Sequence, residues 1–383
     1  MSTVRRLILL LPFLLLTGCW SKVEIDEQIF VFAIYVDKGD KPGTVKLTIS
    51  SPLPNRMMSG QQAGSGGSGG GKPYAIISKT ADTIPDAFMD LQKDLTRRLN
   101  FGHTREIIVG RDYAEEGIGD LLDWIRMEPA FHISSFLGTA PGKAREVADL
   151  TPLYEQMPAE VLRKMNLQHV MFSTTVKDCL IAHSSKVGFV TNNMMVGTQQ
   201  MPSENGKLDE WVGVQGAALY QHDKFKGTLQ AEEARALAWA TGRLDRLAYT
   251  VYWDKGDSRA SVLFTDLKAT KKVTLSDGTP KYTISLTGSG DLLYKKNSKQ
   301  RDETELNSII TTQLNAKVKL DLERALLQTR QLGSDALGLG LLLEWKYPGL
   351  WERIREDWTD YYKNQVEIEV KTTMNVRYLT NKP

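Results

Sequence analysis

The spacing of apolar positions changes several times along this chain, and each change marks an element. The first apolar run, Leu7 to Leu16, is interrupted only by Pro12 and follows Arg5 and Arg6. It is far shorter than the ~20 apolar residues a membrane-spanning helix needs, and a basic start before a short apolar stretch is the anatomy of a secretory signal. Ile29 to Val36 is nearly continuous in β-branched and aromatic residues and ends at Asp37-Lys38-Gly39-Asp40, which predicts a buried strand and a turn. Thr44 to Leu53 alternates at Val45, Leu47 and Ile49, so these two stretches read as a hairpin, and Tyr74 to Ser78 reads as a further strand. The period then lengthens. From a cap at Asp82 or Thr83, the residues Ala87, Phe88, Leu91, Leu95 and Leu99 share one helical face, with Arg97 and Arg98 in the last turn, where cations suit the dipole. Phe101-Gly102-His103 turns into a strand at Glu106 to Val109, and Asp112 caps a helix running through Ile118, Leu121, Leu122 and Ile125. A strand at Phe131 to Leu137 and a short helix at Lys143 to Asp149 complete an alternation that indicates a mixed α/β layer.

Between Pro152 and Val196 the pattern weakens to short helical pieces around Ala159 to Asn166 and Val176 to Ala182, the mark of a small subdomain or connector. Met201 to Lys207 is turn chemistry and a candidate boundary. Beyond it, strands are predicted at Trp211 to Tyr220, Lys224 to Leu229, Ala248 to Trp253, Ala260 to Thr265, Thr270 to Leu275 and Lys281 to Tyr294, with an alanine-rich helix at Ala231 to Ala240. Asp302 to Gln331 is a long helix with Leu306, Ile310, Leu314, Val318, Leu322 and Leu326 on an i+4 row, which drifts slowly about the axis and suits packing across a twisted sheet. Short helices open at Ser334 and Pro348, and Val366 to Tyr378 alternates strictly as a last strand. The expected fold class is α+β and multi-domain, with mixed α/β layers and a C-terminal domain of antiparallel sheet packed against the long helix. The expected division is a cleaved signal at 1–18, an N-terminal α/β domain at 19–150, a middle subdomain or connector at 151–204 and a C-terminal domain at 205–383. The pattern leaves open whether 19–204 is one domain or two.

The residues just after the first apolar run change its meaning. Leu16-Thr17-Gly18-Cys19 is similar to a bacterial lipobox, in which Cys19 receives a diacylglyceryl group and becomes the first residue of the mature protein. Two acyl chains, at ~0.8 kcal/mol per buried methylene, hold a protein at a membrane where one would let it exchange. Cys19 is therefore the expected lipid-attachment site, and the remainder is expected to be a body tethered on the extracytoplasmic side.

The 383 residues carry a formal charge of +2, without a Lys/Arg-rich block of the kind that tracks phosphates, so no nucleic-acid partner is expected. The cysteines are Cys19 and Cys179, and lipidation of the first leaves the second without a disulfide partner. Cys179 reads as a small buried hydrophobe. The Gly/Ser/Gln tract from Ser59 to Gly71 reads as a flexible loop. Within it Gly64, Gly66 and Gly69 satisfy G-x-G-x-x-G, and Gly66 to Lys72 nearly spells a P-loop. Neither has the strand before and helix after that such motifs need, and Pro73 stands where a P-loop has Ser or Thr. His103, His132, His169, His183 and His222 show no metal-ligand spacing with one another or with Cys179. Acidic pairs at Glu115-Glu116, Glu232-Glu233 and Asp302-Glu303 sit near predicted helix starts, where they complement the dipole. Trp345, Trp351, Trp358, Tyr347, Tyr361 and Tyr362 form an aromatic cluster suited to a core, and to an interface wherever a ring is exposed. No catalytic, cofactor-binding or metal residues are assigned.

Four segments in order resemble the Ger(x)C family of spore germination lipoproteins, the C subunits of nutrient germinant receptors. They are Thr17-Gly18-Cys19-Trp20 with Glu24-Ile25; Leu99 to His103 with the Ile107-Ile108-Val109 strand; Ala217 to Tyr220 with Gly227, Glu232-Glu233 and Trp239; and Ser334 to Gly340 with Lys346 to Trp351 and Asp357-Trp358. The basic residues usual after the family's lipobox are thinned here to Lys22, and the Gly/Ser tract has no counterpart in the resemblance. The resemblance implies a non-enzymatic, cofactor-free subunit, anchored through acylated Cys19 to the outer face of the inner spore membrane. It also implies partnership with an A-type and a B-type integral membrane subunit. The alternative, an extracytoplasmic solute-binding lipoprotein that captures the germinant directly, predicts an inter-domain cleft with convergent polar groups. A cell-envelope hydrolase has no motif behind it.

Overall fold

The computed structural model describes residues 23–57, 72–201 and 206–377; the signal segment, Cys19 and the Gly/Ser tract at 59–71 lie outside the described residues. The apolar stretch at Ile29 to Val36 forms two strands, β1 (Gln28–Phe30) and β2 (Ala33–Lys38). β2 pairs antiparallel with β3 (Val45–Pro52), which pairs in turn with β4 (Tyr74–Ala81).

The helix capped by Thr83, α1 (Ile84–Lys93), is shorter than its apolar period suggests. Arg97 and Arg98 are not in its last turn: Gln92 bonds the Arg97 carbonyl and the Leu99 N–H, both at 2.9 Å, and draws the chain out of the helix. The chain then enters β5 (Arg98–Asn100), which runs parallel to β1, a pairing that competes successfully with helix continuation. β6 (Glu106–Val109) lies where it was predicted. The helix from Asp112 is two helices, α2 (Arg111–Glu116) and α3 (Gly119–Met127), broken at Gly117 with φ 129°. Glu115 and Glu116 therefore sit at a helix end rather than a start, and Glu116 pairs with Lys38. The predicted strand at Phe131 to Leu137 begins only at β7 (Phe136–Thr139), because the Ser135 hydroxyl turns the preceding residues by donating to the His132 and Thr104 carbonyls.

Helices α4 (Ala144–Val147), α5 (Pro158–Leu167) and α6 (Val176–Ser184) come next. Then come two long strands, β8 (Phe189–Met201) and β9 (Lys207–Gln221), and the short β10 (Lys224–Leu229). All three join the N-terminal strands in one mixed sheet of order β10-β9-β8-β7-β6-β2-β3-β4. The candidate boundary between Met201 and Lys207 thus falls between two strands that pair antiparallel within a single sheet. Helices α1, α2, α3 and α6 cover one face through Leu91, Tyr113, Leu122 and Cys179; α4 and α5 cover the other through Val147 and Leu162.

The second sheet is built from β11 (Leu247–Trp253), β12 (Ser258–Ser276), β13 (Thr279–Lys296) and β14 (Glu367–Arg377). The two strands predicted at Ala260 to Thr265 and Thr270 to Leu275 are one, bent by a bulge at Phe264/Asp266. β11, β12 and β13 are antiparallel, and β14 adds in parallel to β13 after a long crossover. That crossover includes α8 (Glu303–Leu332), capped by Asp302, which accepts from the Thr304 and Glu305 N–H groups at 2.9 Å. All six residues of the i+4 row are buried against the sheet and against α7 (Ala231–Thr241). One continuous apolar core joins the α6 face of the first sheet to the helix-covered face of the second.

A buried acid sits in the N-terminal half. Glu106 is fully enclosed, and its two carboxylate oxygens accept from Asn166 Nδ2 at 3.2 and 3.0 Å, while Asn166 Oδ1 accepts from Asn192 Nδ2 at 3.0 Å. Burial pushes the Glu106 carboxyl well above the usual carboxylate range, only partly opposed by the Asn166 amide. The folded state therefore holds a proton that the unfolded chain releases, and stability falls as pH rises from the ordinary glutamate value toward the raised one. Glu106→Gln is expected to remove a falling slope of up to about 1.4 kcal/mol per pH unit. Urea denaturation of both proteins from pH 5 to 8 measures it; parallel curves would show that Glu106 is ionised in the fold.

Candidate interaction site at the domain junction

The most distinctive segment of the sequence, Ser334 to Gly340, lies at the seam between the two sheets. α8 ends at Gly333 in the left-handed conformation (φ 66°), and the next residue turns back onto the first sheet. There the Ser334 hydroxyl donates to the Tyr220 carbonyl of β9 at 2.6 Å. Asp335 is 1 % exposed and accepts three hydrogen bonds: from Leu339 N at 2.8 Å, Gly340 N at 2.7 Å and Trp358 Nε1 at 3.1 Å. Its carboxylate thus caps α9 (Leu339–Lys346) from within the protein, and Tyr282 of β13 donates to the Leu339 carbonyl at 3.1 Å. Burial raises the Asp335 pKa against the pull of these donors.

The approach is close on both sides. A Cβ on Gly188 would lie 2.6 Å from both Asp335 N and the Tyr220 carbonyl oxygen; one on Gly340 would lie 2.8 to 2.9 Å from Trp351 and Trp358. Trp351, on α10 (Pro348–Ile354), and Trp358, on α11 (Trp358–Asn364), are buried edge to face at 5.3 Å. Tyr362 is buried beside them and bonds Thr329 at 2.8 Å. Trp351, Trp358 and Tyr362 are therefore core, Tyr347 and Tyr361 are half-buried, and Trp345 is 91 % exposed.

Among the described residues two ion pairs cross the same seam. Arg243, after α7, makes a two-point bond to Asp178 of α6, both contacts at 2.7 Å, and Lys186 pairs with Glu356. Burial works against an ionised Asp178, but the Arg243 guanidinium and the Thr175 N–H outweigh it and hold the carboxyl below its usual range. Beside this pair opens a cleft of about 300 Å³, with Phe172, Phe189 and Val190 on one wall and Leu337 and Leu341 on the other. Lys271 of β12 also lines it, its ammonium 3.2 Å from the Leu337 carbonyl. Lys271 stands in the inward row Leu267, Ala269, Lys271, Val273, where the sheet pattern calls for an apolar residue. Sequence reasoning passed over it, and that misplaced charge was the signal that could have found it.

The candidate chemistry singled out in the sequence is scattered. His103 packs between the rings of Phe30 and Phe32, and Cys179 is buried with its thiol pKa pushed well up by desolvation. Among the described residues no group of three His, Cys, Asp or Glu side chains is placed to hold a metal ion, and no helix is long and apolar enough to cross a membrane. Cys19 lies outside the described residues.

Two family models match in series. The spore germination protein N-terminal domain covers residues 21–194, and the spore germination B3/GerAC-like C-terminal domain covers residues 215–379. The chain belongs to the Ger(x)C family. Among similar proteins of Bacillus subtilis (strain 168), putative spore germination protein YfkR is 24% identical over 94% of this chain and 92% of its own length. Spore germination protein KC is 23% identical over 97% and 94%. The crystal structure of the GerBC protein matches with a TM-score of 0.56 at 15% identity, covering 90% of this chain and 96% of that one, and so shows the same fold.

The Ger(x)C-like segments among the described residues hold the chain together. Asn100 accepts from the Gly102 N–H at 2.7 Å and bonds Gln28 through its amide, pinning the start of the described chain to β5. Phe101 stacks on Phe131 at 5.2 Å. Tyr220 bonds Thr139 through its hydroxyl at 2.7 Å, and Trp239 is buried against Phe264 at 5.4 Å. Among the described residues, the segments that carry the resemblance supply packing and junction chemistry.

Proposed function

We propose that this chain is the lipid-anchored C subunit of a nutrient germinant receptor. It is required for nutrient-triggered spore germination and acts through contacts with A-type and B-type integral membrane subunits rather than through catalysis. The observation that carries the reading is the ordered match of both germination-protein domains over nearly the whole chain. The lipobox supports the anchor: Leu16-Thr17-Gly18-Cys19 directly precedes Trp20, and Cys19 would carry the acyl chains that hold the body at the outer face of the inner spore membrane. The seam supports a subunit whose halves act as one body, because the Ser334–Tyr220 bond and the Asp178–Arg243 pair tie them together.

Cys19→Ala tests the anchor. The variant is expected to leave the membrane fraction of spores and to reduce nutrient-triggered germination by at least tenfold, whereas full germination with the variant in the soluble fraction would contradict an anchored subunit. A second reading, direct capture of a solute, draws support from the cleft at the junction, whose volume is at the small end of the ~300–1,000 Å³ range of ligand pockets.

A further inference from the structure

We propose that the cleft between the two halves binds a small organic anion with an apolar body, its carboxylate held by Lys271. Among the described residues three charged side chains line the cleft: Asp178, Arg243 and Lys271. Asp178 and Arg243 neutralise one another through their two-point bond, so the Lys271 ammonium sets the sign of the site. Its hydrogen bond goes to a neutral carbonyl, that of Leu337, and among the described residues no carboxylate forms an ion pair with it. The anion that acts on it most, Asp335, has its oxygens taken by the Leu339, Gly340 and Trp358 N–H groups. Desolvation holds the Lys271 pKa below that of an ordinary lysine, as befits an ammonium in an apolar wall without a counter-ion.

An unpaired charge set in an apolar wall is costly, and a carboxylate entering the cleft would compensate it. The rest of the wall specifies the rest of the ligand. Phe172, Phe189, Leu337 and Leu341 present apolar surface, and about 300 Å³ admits a small molecule. Because the walls come from both halves, the bound anion would bridge the seam beside Ser334 and Asp335.

The test uses the full-length lipidated protein in nanodiscs, titrated with isovalerate and benzoate and with their neutral amides, isovaleramide and benzamide, by saturation-transfer NMR. Saturable binding of a carboxylate, at least tenfold tighter than its amide, is expected. Lys271→Met should weaken it at least tenfold, and Lys271→Arg should retain it. Leu341→Trp, which fills the cleft without touching its charges, should abolish it even where Lys271→Met fails to fold. Absence of saturable carboxylate binding, equal binding of the amides, or undiminished binding to Leu341→Trp would overturn the proposal. Any of these would leave the receptor-subunit reading intact, since that reading is decided by germination.

Discussion

Trp358→Ala is expected to lower the unfolding free energy by roughly 3–5 kcal/mol, the range for removing a fully buried indole. Trp358 is 1 % exposed and meets Trp351 at 5.3 Å and Tyr362 at 6.0 Å, so the space it leaves is walled by rings that cannot collapse into it. It also donates to Asp335, and without it a buried carboxylate keeps two of its three donors. Trp358→Phe separates the effects. It keeps most of the ring and loses the donor, and is expected to cost about 1–3 kcal/mol. Urea denaturation followed by near-ultraviolet circular dichroism measures both, and equal losses for Phe and Ala would assign the whole effect to the hydrogen bond.

Gly188→Val acts on the other side of the same seam. Even a methyl would lie 2.6 Å from the Asp335 nitrogen and from the Tyr220 carbonyl oxygen. Both are backbone atoms, so no rotamer change relieves the clash, and the loss is expected at the upper end of overpacking, about 3 kcal/mol. The strain falls where Ser334 bonds Tyr220, so the halves should separate first, seen as early tryptic cleavage near the junction at urea concentrations the wild type resists. Gly349→Ala is the control: nothing lies within 4 Å of that Cβ, and its helical position predicts a neutral or stabilising change of up to about 1 kcal/mol. A Gly188→Val protein as stable as the wild type would mean the seam is not closed as described.

Elements whose pattern repeats on one face were legible in the sequence. The i+4 row of α8 is buried as its spacing implies, and β6 and β13 fall within two residues of their predicted ends. Long-range pairing was not legible, because it leaves no local period. In the sequence β5 continues the apolar face of a helix through Leu95 and Leu99, and only its pairing with β1, far away in the chain, reveals it as a strand. β14 alternates like any strand, but its parallel direction depends on the crossover that delivers it. The junction shows the same division. Ser334 to Gly340 stood out in the sequence, but its contacts with Gly188 and Tyr220 join positions more than a hundred residues apart. Lys271 shares the parity of Val273, so its misplaced charge is visible in the sequence, but the cleft that it lines needs walls from both halves of the fold.

The role proposed for this chain is that of a subunit of a nutrient germinant receptor. Its most direct test is the germination of spores lacking the protein, in their own host, across single amino acids and sugars, with the A-type and B-type subunits followed by immunoblot. Loss of the response to one class of nutrient is expected, with an intact response to the others. Unchanged germination on every nutrient, with both partner subunits at normal levels, would contradict it.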